Sequence, residues 1–274
     1  MIAQVARVPA QKNETKRPRS LNDLMATVSA SRLSCFHQCR LKFYFRYVLD
    51  LKKPKTPALH VGTVVHSILQ AWNLARWRRQ EIGTEKLKAL FDTNWQDQQK
   101  ESSVNWKEDE ESEKSSAWTM LETYFNQTPI VQNEKPEAVE VSVEADLKNH
   151  GLPVVVGIID LVRAGGKIVD FKTTGQTPNP DRAAHQNQTQ LCCYSLLYRE
   201  STGKPESGLE LHHLVKLKTP KVVVTQIDPT TDKQRTKLFK IIESYVEGLA
   251  RQDFVPSPGL QCVSCEFFNE CKRW

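Results

Sequence analysis

The sequence predicts an α/β fold, and three observations carry that reading. The first half shows helical periodicity, the stretch after residue 138 breaks into short β-branched runs, and a capped amphipathic helix follows Asp228. Taken in order, residues 1–28 read as a flexible basic arm carrying Arg7, Lys12, Lys16, Arg17 and Arg19. A helix is expected from Ser31 to Val48, where Leu33, Phe36, His37, Leu41, Phe43 and Tyr44 form a broad apolar and aromatic face. Pro54 and Pro57 break the chain, and Gly62 opens a second helix, GTVVHSILQAWNLARWRR. Two more helices, TEKLKALFDTNWQDQQ and SSAWTMLETYFN, flank an acidic run from Glu108 to Glu111 with Glu113. That run is expected to be a loop facing solvent.

From Ala138 the runs AVEVSVEADL, LPVVVGIIDLVR and KIVDFKTT read as strands of a central sheet. A helix over Arg182 to Tyr198, two further strands (LELHHLVKLK and KVVVTQID) and a long helix follow. Asp228 is the expected cap of that last helix, with Pro229 at its first position. The tail from residue 256 is loop-like and rich in cysteine. The result is a mixed sheet with a helical N-terminal part in front and a helix behind.

The chain has 274 residues and a net charge of +6, which suits a polyanionic partner, because Lys and Arg at phosphates release condensed counterions. No stretch approaches the roughly eighteen apolar residues of a membrane helix. The N-terminal residues are too interrupted by charge for a signal peptide, so a cytoplasmic protein is expected. Seven cysteines without a secretion signal argue against a disulfide framework and for a metal or cluster.

The chemistry concentrates in one predicted hairpin. Asp160 directly follows a buried-type apolar run, a costly position for a carboxylate without a partner or a metal. The next strand brings Asp170 and Lys172. Register decides whether the three meet. A two-residue Gly165-Gly166 turn would set Asp160 opposite Phe171. A three- or five-residue turn sets it opposite Asp170, with Lys172 on the same face two residues on. Facing carboxylates repel unless a cation lies between them, and oxygen ligands suit Mg²⁺ or Mn²⁺.

The segments GIIDLV, VDFKT and QLCCY resemble the PD-(D/E)XK nuclease superfamily in its RecB-like branch. The resemblance implies a restriction-endonuclease-like core over residues 29–274, with a helical insertion at about 81–135. It implies that Asp160 and Asp170 bind the divalent metal and that Lys172 assists phosphodiester hydrolysis. Ile159 replaces the proline that names the motif, and the second acid is Asp rather than Glu. By the same resemblance His66, within GTVVHSILQAW, adds an imidazole to the metal, while Gln190 and Tyr194 border the active site. Glu144 is a further candidate for that pocket.

SASRLSCFHQCRLKFYFRYV resembles the branch's opening helix, with Arg40 where a proline often follows the cysteine. In the iron–sulfur members of the branch, which include exonuclease V-type, AddB-type and CRISPR-associated RecB-like enzymes, one cysteine here joins three near the C-terminus. That implies a 4Fe–4S cluster on Cys39, Cys262, Cys265 and Cys271, with Cys35 as the alternative first ligand and residues 256–274 as the cluster-binding tail. Cys192 and Cys193 read as core thiols. The function implied is a Mg²⁺- or Mn²⁺-dependent deoxyribonuclease. It would be an exonuclease on single-stranded DNA or DNA ends, acting in repair, recombination or CRISPR adaptation beside a helicase or adaptation partner. The alternative is an inactive DNA-binding scaffold, which would normally have lost an acid or the lysine.

Overall fold

The computed structural model describes residues 20–106, 109–131 and 133–274. The expected arm lies outside them as far as residue 19. Beyond that point the expectation is corrected, because Leu21–Ala26 form helix α1 and Thr27–Val28 form strand β1. Ser20 caps α1 in a reciprocal capping box with Asp23, a signal that the basic run before it obscures.

The expected helix over residues 31–48 is three pieces. Helix α2 (Ala30–Gln38) stops at Cys39, whose backbone is extended. Cys39 then caps α3 (Arg40–Phe43), its sulfur accepting from Lys42 N at 3.5 Å. A π-turn over Tyr44–Val48 ends the run. Helix α4 (Pro57–Trp77) starts earlier than expected, with Thr56 as cap and Pro57 in its first turn. Helix α5 spans Thr84–Glu101 and α6 spans Glu110–Gln127. Glu108 lies outside the described residues, and from Asp109 onward the acidic run is no solvent loop. Asp109 caps α6 and three glutamates fill its first turn, where the helix dipole favours them. Glu110 accepts from Trp95 Nε1 at 3.0 Å, and buried Glu113 pairs with Lys216.

The sheet strands are β2 (Ala138–Ala145), β3 (Val154–Arg163), β4 (Lys167–Thr174), β5 (Gly208–Val215) and β6 (Lys221–Ile227). Between β4 and β5 the expected single helix is split at Asn187 into α7 (Pro180–Gln186) and α8 (Gln188–Thr202). The order along the sheet is β1-β3-β4-β5-β6, with β2 also paired to β3. Strand β4 runs parallel to β5 and the other long pairs are antiparallel. Helix α9 spans Asp232–Ala250 and is capped by Thr231 rather than Asp228. Buried Glu206 accepts from Thr230 N at 2.7 Å and Arg199 donates to Thr230 O at 2.7 Å, so residue 230 is held and the helix begins after it. A short α10 (Phe268–Cys271) closes the tail.

Each sheet face has its own core. One joins α1, α2, α8 and α9 through Phe36, Val155, Ile159, Leu197 and Tyr245. The other joins α4, α5 and α6 through Val65, Ile68, Trp95, Tyr124, Leu161 and Phe171. Among the described residues no helix is long and apolar enough to cross a membrane.

Strand β5 is buried along its whole length although it carries Glu210, His212 and His213. Glu210 takes Arg163 at 3.0 Å and His212 Nε2 at 2.9 Å, and the Tyr124 hydroxyl bonds the other nitrogen of His212 at 2.8 Å. Burial alone raises a carboxyl, but His212 and Arg163 reverse that and hold Glu210 down from 4.5 to about 2. Its contribution to stability is present above pH 4.5 and is lost as pH falls toward 2. Breaking a buried pair leaves an uncompensated charge, so Glu210→Ala is expected to cost about 3–5 kcal/mol at neutral pH, read by denaturant melts. The difference from wild type should shrink below pH 4.5; a constant difference down to acid would refute this account.

Candidate active site

A three-residue loop, residues 164–166, joins β3 to β4, with Gly165 and Gly166 in the left-handed region at φ +82° and +77°. The pairs Arg163↔Lys167, Val162↔Ile168 and Leu161↔Val169 continue to Asp160 opposite Asp170, the register that brings the acids together. The regular ladder stops there. Asp160 Oδ2 itself accepts from Phe171 N at 3.0 Å. On the same stretch of β3, β1 pairs only with Val154 and Val155. The acids therefore stand where β4 parts from β3.

Helix α8 supports one side of this opening. Gln190 Nε2 donates to Asp170 Oδ1 at 2.9 Å and to the Tyr194 hydroxyl at 2.8 Å, while Lys172 Nζ donates to Gln190 Oε1 at 2.7 Å. Gln190 and Tyr194 lie one turn apart, so one face of α8 serves the whole set. Lys172 Nζ also lies 2.8 Å from Asp170 Oδ2, as an ion pair outside hydrogen-bond angles. That buried oxygen thus takes no hydrogen bond. Asp170 is 1% exposed. Burial, helped by the charge of Asp160 and opposed by Lys172, pushes its carboxyl up to about 6. Burial, then the two acids, raise the Tyr194 hydroxyl, which stays protonated at neutral pH.

Helix α4 supports the other side. His66 Nδ1 lies 3.5 Å from Asp160 Oδ2, and the ring meets Phe171 edge-on. A further acid belongs to the group. The β2–β3 ladder pairs Val139 with Leu161 and Val141 with Ile159, which sets Glu140 opposite Asp160. Glu140 has φ +48°, a strained conformation for a residue other than glycine. Its carboxyl is raised by burial and then by Asp160, with His66 opposing. Glu144 instead is exposed, opposite Val156. The connection between β2 and β3 contains a 3₁₀ turn and a left-handed Gly151, so the β2 register could not be counted from the sequence.

Among the described residues, no three or more His, Cys, Asp or Glu side chains stand in an arrangement that holds a metal ion. The acids and imidazole surround an opening without closing on a point.

The cysteines form a second centre. Cys39, Cys262, Cys265 and Cys271 line one cavity of about 50 Å³ beside Leu41, Phe45 and Phe267. Cys35 is buried in the α2 core, and burial raises its thiol to about 11. Cys192 and Cys193 are also buried. Lys42 and Arg46 pair with Glu266, and Lys53 with Glu270, which ties the tail to the first helices.

The sequence model of the PD-(D/E)XK nuclease superfamily matches residues 27–272. The chain belongs to that superfamily. The mixed sheet flanked by helices is its restriction-endonuclease-like fold. Among solved structures, the PD-(D/E)XK chain is similar to a protein from Eubacterium rectale described as a "putative exonuclease". The two are 13% identical, with a TM-score of 0.62 over 96% of this chain and 93% of that one. The crystal structure of SSO0001 is also 13% identical, but its TM-score of 0.37 over 85% of this chain and 93% of that one carries no argument. No curated protein sequence matches the chain.

A Cβ added at Gly166 would overlap the Tyr198 hydroxyl as well as occupy a left-handed position. Gly166→Ala is therefore expected to destabilise the protein by about 1–3 kcal/mol in denaturant titrations. A variant as stable as wild type would show that the turn tolerates a side chain.

Proposed function

We propose that the chain is a Mg²⁺- or Mn²⁺-dependent deoxyribonuclease of the RecB-like branch, an exonuclease acting on single-stranded DNA or DNA ends. The observation that carries this is the parting of β3 and β4 at Asp160 and Asp170, with Lys172 held beside them through Gln190. The donor set fits a hard divalent cation: carboxylate oxygens, one of them buried without a hydrogen bond, and one imidazole. Asp160, Asp170 and His66 would hold it, with Glu140 at the margin. When bound, the cation supplies Lewis acidity and a water of lowered pKa.

The side chains do the remaining work. Lys172 orients the attacking water and offsets negative charge developing on the phosphate. Gln190 fixes Lys172 against Asp170, and the Tyr194 hydroxyl accepts the second N–H of the same Gln190 amide. Water adds to phosphorus, the ester bond to the leaving nucleotide breaks, and the leaving oxygen takes up a proton. The exonuclease reading draws on the description of the Eubacterium rectale protein.

The same proposal includes a structural 4Fe–4S cluster on Cys39, Cys262, Cys265 and Cys271. Its support is that these four thiols share one cavity while Cys35 turns into the core. In a cubane each iron takes one thiolate, so the sulfurs need not converge as on a single ion. Residues 29–274 act as one domain in this reading, with about 81–135 as a helical insertion and 256–274 as the cluster-binding tail. The pathway proposed is cytoplasmic: repair, recombination or CRISPR adaptation, with unwinding supplied by a helicase or adaptation partner.

The test is digestion of end-labelled single- and double-stranded DNA with Mn²⁺. Chelation should abolish cleavage, and Asp160→Ala and Lys172→Ala should each lower it by about 10²–10³ or more. Cleavage by both variants at the wild-type rate would sink the assignment. Glu140→Gln is expected to weaken Mn²⁺ binding about 10–100-fold. Below pH 6 Asp170 holds a proton, so metal affinity should rise with pH to about 6 and then level off. Anaerobically purified protein should contain iron and acid-labile sulfide in equal amounts, both lost in Cys262→Ser; zinc in their place would overturn the cluster.

A further inference from the structure

Strand β5 carries a polar residue that the reaction above leaves unused. The β4–β5 register is parallel and sets His213 directly opposite Lys172, one row on from Leu211 opposite Asp170. Neighbouring strands lie about 4.8 Å apart, and side chains paired across them share one face. That face is the one α8 covers, because Leu209 and Leu211 belong to its core and Leu214 to the other. The imidazole of His213 is therefore the β5 neighbour of the Lys172 stem, and it is buried, 5% exposed.

Three of the buried side-chain polar atoms that take no hydrogen bond among the described residues stand together here. They are Asp170 Oδ2, His213 Nδ1 and Thr225 Oγ1, with Thr225 opposite Leu211 on β6. An unpaired buried polar atom is costly, so their clustering beside the acid site marks a functional rather than a packing requirement.

The surroundings of His213 fix what each ring nitrogen can do. Burial, then the charge of Lys172, lower the imidazole below its ordinary value, so the ring is neutral at neutral pH. Asp170 and a bond to the backbone of Val223, directly opposite on β6, pull the other way, as a carbonyl does when it accepts a ring N–H. Nδ1 has no partner, so that N–H is on Nε2 and the free lone pair is on Nδ1. An acceptor thus stands beside an ammonium. Lys172 gives one N–H to Gln190 at 2.7 Å and lies 2.8 Å from Asp170 Oδ2 without a hydrogen bond there. A cation at Asp170 competes for that oxygen and repels the ammonium, which then needs a second acceptor to stay in place.

We propose that His213 is a positioning residue for Lys172, its Nδ1 accepting one ammonium N–H when a divalent cation occupies Asp170; this rests on the nuclease reading above. With Gln190 Oε1 and His213 Nδ1 as two fixed acceptors, the third N–H has one direction left, toward the attacking water and the phosphate.

Two amide replacements separate the two nitrogens. A glutamine side chain brings its amide near the place of Nε2, and an asparagine near that of Nδ1. His213→Gln therefore keeps the Val223 contact and loses the acceptor beside Lys172, while His213→Asn does the reverse. In the Mn²⁺ digestion the kcat of His213→Gln is expected to fall about tenfold or more with KM for DNA unchanged. His213→Asn should recover most of that loss although it is the less stable of the two in denaturant titrations. A purely structural His213 predicts the opposite order, with activity following stability. That order would overturn the proposal, as would wild-type kcat in His213→Gln. A second measurement needs no turnover. In protein labelled with ¹⁵N-histidine and free of DNA, Mg²⁺ is expected to move the Nδ1 resonance of His213 upfield, the direction for a nitrogen that gains a hydrogen-bond donor. Lys172→Met should remove that shift, and His213→Gln assigns the signal. No shift with Mg²⁺, or the same shift in Lys172→Met, would sink the proposal. A Lys172-dependent shift in a protein that cuts no DNA would refute the nuclease reading alone.

Discussion

The site depends on one substitution of partners. At Asp160 a side-chain carboxylate takes the backbone N–H of Phe171, the donor that lies just beyond the regular β3–β4 pairs. This keeps the two strands tethered after their ladder ends and lets them diverge without leaving a buried donor bare. An acid can then sit deep between two strands and still face outward into the gap. Asp170 lies on the other strand, held by Gln190 and Lys172. The strain at Glu140 belongs to the same local irregularity, because β2 departs from ordinary strand geometry at the position opposite Asp160.

Two cores meet at that gap. Helix α4, packed on one sheet face, carries His66; helix α8, packed on the other, carries Gln190 and Tyr194. Neither helix alone defines the site. Its geometry is set by the sheet thickness between them, which close packing keeps nearly invariant. The buried Arg163–Glu210–His212–Tyr124 network lies under the second core and ties β3, β5 and α6 together, so the strand bearing Asp160 is anchored just past the site.

Much of this was legible in the residues. The apolar run ending in Asp160, the double glycine and the returning D-x-K spacing identify the hairpin, and the three-residue loop was one of the two lengths that align the acids. The strands and the helices α4 to α6 follow from periodicity. What escaped was set at a distance. Residues 21–28 hold their structure against the edge of β3 and the face of α9, and their one local signal, the Ser20–Asp23 capping box, follows directly on a basic run. Glu113 is buried by Lys216, which is remote in sequence. The start of α9 is delayed by Glu206 holding residue 230, against a cap and proline that favour an earlier start. Glu140 required a strand register that the irregular connection before β3 hides.

The sheet also has a temporal meaning. Strand β1, near the beginning, pairs with β3, and Phe36 on α2 packs edge-on against Tyr245 on α9. The tail ties back to α3 through Glu266. Contacts of such sequence separation form late, after large loop-closure costs. A chain still on the ribosome would have made the hairpin with its acids well before α9 and the tail emerge. The scaffold around it would remain loose until α9 and the tail have emerged, so a polypeptide still lacking them would hold the acids without the walls that align them.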